Sequence, residues 1–451
     1  MGILPIDTGR YGTIEMKQVF DQENRIQKLL DVEAALAWAH AQVGNITEKD
    51  AATIGKKAST QYVKMDRIKE IESNIRHDVA SLVKALAEQC GSAGAFVHLG
   101  ATSYDIVDTA TALQLKEAVA IIGQKLTALE RILVEEAGKH KQTIMMGRTH
   151  GQHALPITLG FKFSVWMRAN ARNIRRLREV SSRLLVGKMT GAVGTQAGLG
   201  SHGLEIQRLV MKRLSIGQAD ISTQIVQRDL HAEFVCLLAL IASALDNWAW
   251  EIRELQRPEI GELYEAFERE KQVGSSTMPH KRNPEICERV CGLAKIMRGL
   301  VIPALENVVT WHERDLTQSS AERFIIPEVC ILVDYMLSLF ISVLENLVVD
   351  EARMKRNLTI TQGRAMSESV MIQLVKKGMN RQEAHELLRK LSVTSELESR
   401  HFKETLVEDP TIRMFLNPDG IDLALDPEKY LGTAVHQVES MIRKTMNERK
   451  G

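Results

Sequence analysis

Apolar positions along the chain recur at helical spacing. In "NRIQKLLDVEAALAWAHAQVG", Ile26, Leu29, Leu30, Ala34 and Ala37 form one stripe, and Gly44 follows as a stop. "TEKD" at Thr47–Asp50 reads as the next helix start, with a carboxylate at its third helical position. No proline stands between Pro5 and Pro156, nor between Pro156 and Pro258, so little interrupts such helices. The pattern predicts long helices near 104–139, 155–186, 220–256, 285–310 and 322–346. Several exceed the usual ~8–20 residues, which points to a long bundle. Phe234–Leu245 reads as core helix, and no uninterrupted apolar run reaches membrane-spanning length. No period of ~20–50 residues marks a solenoid. The fold class expected is all-α, with boundaries near 103 and 348 giving domains 1–103, 104–348 and 349–451.

Four polar breaks interrupt the helices: "CGSAGAFVHLGATSYD" at 90–105, "MMGRTHGQHALP" at 145–156, "GKMTGAVGTQAGLGSHG" at 187–203 and "KQVGSSTMPHKRNP" at 271–284. In a helical chain such breaks are where chemistry is placed. Composition narrows the class. Apolar residues make up 44% and charged ones 25%, ordinary for a folded globular chain. A net charge of +1 provides no global field for nucleic acid or anionic membrane, so any anionic ligand must be met by local cations. Five scattered cysteines and an opening without a secretory pattern lead us to expect a cytoplasmic protein.

The loop at 187–203 lacks the order of a phosphate-binding P-loop and reads as a helix crossover. Cys287 and Cys291 have no second pair to complete a zinc site and read as buried thiols. His150 and His153 lack an acidic neighbour, so proton transfer suits His150 better than metal binding. His77 beside Asp78 fits either a helix cap or a site. The segment at 271–284 is richer than a turn requires. Gly274 admits close backbone approach, Ser275 and Ser276 offer hydroxyls, Lys281 and Arg282 offer charge, and Pro279 and Pro284 restrict the loop.

"GSSTMPHKRNP" closely resembles the signature of the fumarase/aspartase superfamily. Within it the chain is most similar to the adenylosuccinate lyase family. The likeness runs nearly end to end, through "RYGTIEM", "RHD", "HLGATSYDIVDTA", "GRTHGQHALP", "TQIVQRD" and "WHERDLTQSSAERFIIPE". The resemblance implies three helical domains, a homotetramer with active sites shared between three subunits, and no metal or organic cofactor. It implies β-elimination of fumarate from adenylosuccinate, giving AMP, and from succinylaminoimidazole carboxamide ribotide, giving the carboxamide ribotide. The implied partners are therefore small-molecule purine-pathway substrates, with no nucleic acid and no membrane.

Residue by residue, the resemblance makes Ser275 the base, His150 the general acid and Glu288 the carboxylate that orients the catalytic histidine. The residues alone do not choose between Ser275 and Ser276. Arg10, Tyr11, Arg314, Ser319 and Arg323 would bind the anionic and ribosyl parts of the substrate. Thr102, Ser103, Gln224, Ser276, Lys281 and Asn283 would hold the succinyl carboxylates, with His77 and His98 close by and Arg76, Asp78 and Arg282 in matching motifs. The segment at 271–284 would close as a lid. Argininosuccinate lyase and carboxymuconate cycloisomerase are rivals inside the superfamily, and the latter shares a very similar "MPHKRNP". A non-catalytic scaffold and a nucleotide phosphotransferase are the rivals outside it.

Overall fold

A computed structural model describes residues 2–267 and 272–449; Lys271, the first residue of the signature stretch, lies outside these. Nineteen α-helices dominate the described residues, with three two-stranded sheets. The long helices are Ser103–Lys139, Leu159–Leu184, Asp229–Gln256 and Thr317–Glu345. Two compact units divide the chain. The first holds residues 1–127, 172–246 and 290–339, the second residues 128–171, 247–289 and 340–451.

In the first unit, helix Gln22–Gln42 buries Ile26, Leu29, Leu30 and Ala37, and Gly44 stops it at φ 79°. Helix Glu48–Lys57 starts where expected, because the Thr47 hydroxyl accepts the Asp50 amide at 3.1 Å. These residues join Leu82, Leu86, Ile106, Val210 and Met211 in one core cluster. In the second unit, Phe163, Trp166, Trp248 and Phe340 pack ring against ring at 5.5–6.3 Å. A separate cluster around Leu374, Leu388, Phe402 and Ile412 serves the last hundred residues.

Several expectations are corrected. The helix expected at 155–186 begins at Leu159, because Gln152–Thr158 pairs as a strand with Ile144–Thr149. The helix expected from 220 begins at Asp229, since residues 222–228 run as a loop pinned by Asp108, which accepts the Val226 amide and the Arg228 guanidinium. The one expected at 285–310 ends at Gly299, and Val301–Glu306 follows as a separate short helix. Pro303 has no N–H to continue the ladder. Helices Asp229–Gln256 and Thr317–Glu345 are also long and apolar enough to cross a membrane by length and mean hydropathy. A search for unbroken apolar runs missed them because charged residues punctuate both. Most of each apolar window, 61%, is buried inside the protein, as in a core helix.

Candidate active site

The first unit holds a cavity of about 540 Å³ lined by Arg76, His77, Asp78, Ser103, Arg314, Ser319 and Arg323 among others. Seven of the expected binding residues thus share one wall. Arg76 ends helix Met65–Ile75 in the left-handed region at φ 53°, and the turn it makes delivers His77 and Asp78. His77 does cap a helix, accepting the Ala80 amide at Nδ1 (3.3 Å), and it also faces the cavity. The helix-cap reading of that residue therefore holds. Asp78 accepts the Val79 amide and the Arg323 guanidinium, each at 2.8 Å. Burial pushes its carboxyl up, but these two bonds outweigh burial and hold it below the ordinary carboxylate range.

Arg314 lies over the Tyr104 ring at 3.6 Å and donates to Gln224 Oε1 at 2.8 Å and Ser319 Oγ at 3.4 Å. The Tyr104 and Ser319 hydroxyls are 2.5 Å apart. Behind this wall, buried Arg228 forks onto Asp108 at 2.9 Å and also meets Glu322. Thr102, His98, Arg10 and Tyr11 do not line the cavity. Thr102 donates its amide to Asp105, a buried carboxylate that also accepts the Thr190 and Gly191 amides and pairs with buried Lys188. The glycine-rich loop is thereby tied to the start of helix Ser103–Lys139, as a crossover rather than a phosphate cradle. His98, at φ 63°, places Nδ1 2.6 Å from Glu33 Oε1. Burial lowers its pKa, but the bond to Glu33 prevails and raises it.

In the second unit the hairpin 144–158 turns through His150 and Gly151, both left-handed at φ 54° and 72°, with Thr149 facing Gln152. Two successive positive φ values match the tight turn that suits strand twist. His150 therefore stands exposed at the hairpin tip. The hairpin is anchored by Arg148, which forks onto buried Glu262 through two 2.8 Å bonds, while Asn357 donates to the same carboxylate. His153 points inward, and burial together with Arg148 lowers its pKa.

The signature segment is folded around Ser275. Its Oγ accepts the backbone amides of Met278 at 3.0 Å and Thr277 at 3.3 Å. A side chain at Gly274 would meet the Lys281 carbonyl at 2.2 Å, so only glycine fits there. Asn283 donates to the Gly274 carbonyl at 2.9 Å, and Arg282 lies 5.4 Å from the Phe267 ring. Lys281, Arg282, Asn283 and Glu288 line a second cavity of about 790 Å³. Ser276 is exposed beside Ser275. No hydrogen bond joins Glu288 to His150 among the described residues.

Sequence reading missed four residues. Buried Glu265 accepts the Ile286 and Cys287 amides, which fixes the start of helix Glu285–Gly299 behind the loop. Its position in no motif hid it. Glu33, Tyr104 and Arg25 sit inside regular helices, where periodicity marks core and surface but not what a side chain faces. Among the described residues no cluster of three or more His, Cys, Asp or Glu is arranged to hold a metal.

The chain thus combines a helical architecture, a hydroxyl held by amides on one loop and arginines gathered in a cavity. The model of the family described as "Lyase" matches residues 9–299, and that described as "Adenylosuccinate lyase C-terminus" matches residues 363–441. The chain is 51% identical to the adenylosuccinate lyase of Pyrococcus abyssi over 98% of each chain. It is 47% identical to that of Methanocaldococcus jannaschii over 100% of this chain and 97% of that one. Among solved structures, a fumarate lyase from Mesorhizobium sp. BNC1 superposes with a TM-score of 0.89 at 32% identity, covering 96% and 98% of the two chains. A 3-carboxy-cis,cis-muconate lactonizing enzyme from Pseudomonas putida superposes at 0.90 with 33% identity, covering 98% and 99%. The chain belongs to the adenylosuccinate lyase family.

Proposed function

We propose that the protein eliminates fumarate from adenylosuccinate to give AMP, and from succinylaminoimidazole carboxamide ribotide to give the carboxamide ribotide. A proton on carbon beside a carboxylate is weakly acidic, so its removal needs a base and stabilised charge. Ser275 Oγ, as alkoxide, takes that proton, and the carbon–nitrogen bond then breaks. His150 protonates the departing nitrogen, and fumarate and the amine leave. The observation that carries this reading is the pair of amides donating to Ser275 Oγ, because donors aimed at a hydroxyl oxygen favour its anion. Lys281 adds positive charge to the same segment. Arg314, Ser319 and Arg323 receive the phosphate, and Thr102, Ser103, Gln224, Ser276 and Asn283 the succinyl carboxylates. The loop that carries Ser275 acts as a lid on bound substrate.

Further parts of the reading are the three domains 1–103, 104–348 and 349–451, a cytoplasmic homotetramer, and sites assembled from three subunits. A muconate-type reaction is disfavoured by the match at residues 363–441 and by the arginine-lined cavity, which suits a phosphorylated substrate. Incubating the protein with each succinyl substrate and following ultraviolet absorbance and fumarate tests the proposal. Catalytic fumarate release supports it, and none at micromolar enzyme rejects it.

A further inference from the structure

We propose that Arg25 is a further arginine of the substrate site, binding the nucleotide phosphate beside Arg314, Ser319 and Arg323. The inference rests on the lyase reading above. Arg25 stands on helix Gln22–Gln42, half-buried next to buried Ile26, and lines the 540 Å³ cavity. Among the described residues its side chain makes no hydrogen bond and no ion pair. The nearby acid, Asp78, is already engaged by Arg323 and the Val79 amide. Glu72 also lines the cavity but is not paired with it. A guanidinium does not shed its proton in proteins, so a partly buried one must find an anion or remain costly. Burial and the neighbouring Arg323 charge both push the Arg25 pKa down, with Asp78 and Tyr104 opposing them.

The same cavity holds a second unmet donor, because Arg314 Nε is buried with no partner. Arg76 adds another cation, and Tyr104 and Ser319 add hydroxyls. A phosphate monoester carries about two negative charges and three terminal oxygens, and fork-shaped guanidiniums suit those oxygens. A carboxylate offers fewer acceptors than this set of donors supplies. The arginine cluster of the cavity thus fits the phosphate end of the substrate.

Titrating inorganic phosphate into the wild-type protein and its Arg25→Gln and Arg25→Lys variants tests the assignment, alongside adenylosuccinate kinetics with fumarate as a control inhibitor. Arg25→Gln is expected to weaken phosphate binding and raise KM, each by roughly tenfold or more, with a smaller fall in kcat. Lysine should restore much of the phosphate affinity. Fumarate inhibition should not change, and the ligand-free Gln variant should unfold at the same temperature or higher, since an unpaired charge is gone. Unchanged phosphate affinity would overturn the proposal. So would a Gln variant that unfolds earlier and loses phosphate and fumarate binding together, which would mark a structural role. A wild-type protein that binds phosphate through Arg25 yet does not turn over adenylosuccinate would reject the lyase reading and leave the anion site standing.

Discussion

At the scale of single residues, conformation and chemistry meet at His150. It occupies a left-handed position that few side chains adopt readily, and asparagine is among the exceptions. His150→Asn therefore keeps the turn while removing the proposed proton donor. We expect kcat to fall by about 10²-fold or more, with an unfolding temperature close to wild type. Equal losses of activity and stability would instead mean that the turn had collapsed. Gly274 poses the complementary problem. Gly274→Ala forces a Cβ against the Lys281 carbonyl and must displace the segment that presents Ser275. Turnover should drop at least tenfold, and substrate titration should show whether KM rises with it. The two serines illustrate the limit of reading residues alone. They are equivalent in sequence, but folding gives the Met278 and Thr277 amides to Ser275. No one-dimensional pattern encodes which hydroxyl the turn encloses.

At the scale of elements, buried ion pairs hold the pieces that present the site. Glu262 receives Arg148 from the His150 hairpin and Asn357 from helix Glu351–Thr359. Glu262→Gln leaves the partly buried Arg148 without its countercharge and should cost about 2 kcal/mol in denaturant unfolding. The Asp108–Arg228–Glu322 network joins helices Ser103–Lys139 and Thr317–Glu345 to the loop that precedes Asp229 in the same way. Although burial raises the Asp108 pKa, Arg228 and the Val226 amide outweigh it and depress the carboxyl below its unfolded value. A depressed carboxyl contributes stability that is complete above the unfolded pKa of about 4 and is lost as pH falls through the native value. Unfolding midpoints should stay flat from pH 7 to 5 for this pair and drop below about pH 4, and Asp108→Asn should flatten that acid limb. Periodicity placed the long helices well, because a stripe of leucine, isoleucine and alanine is local information. It failed at 144–158 and 220–228, where a hairpin and a pinned loop depend on partners distant in sequence, such as Glu262 and Asp108.

At the scale of the whole molecule, one chain leaves much apolar surface uncovered. Ile302, Val309, Trp311 and Phe324 are all more than 60% exposed in the first unit. Soluble monomers rarely leave such surface bare, so association is the expected remedy. Sedimentation should give a particle near four times the 50.5 kDa chain mass, and dilution that dissociates it should abolish activity. An active monomer would contradict shared sites. The superfamily signature and the near end-to-end motifs made the reaction class legible from sequence. Arg25 and Glu265 were not, because their significance lies in what they face after folding.

The central claim is that the Ser275 hydroxyl removes the proton that starts elimination. Its most direct test is the rate of fumarate release from adenylosuccinate by Ser275→Ala, measured on protein with a wild-type unfolding temperature and assembly state. The account predicts a loss of roughly 10²-fold or more with substrate still bound. Release at the wild-type rate would contradict it.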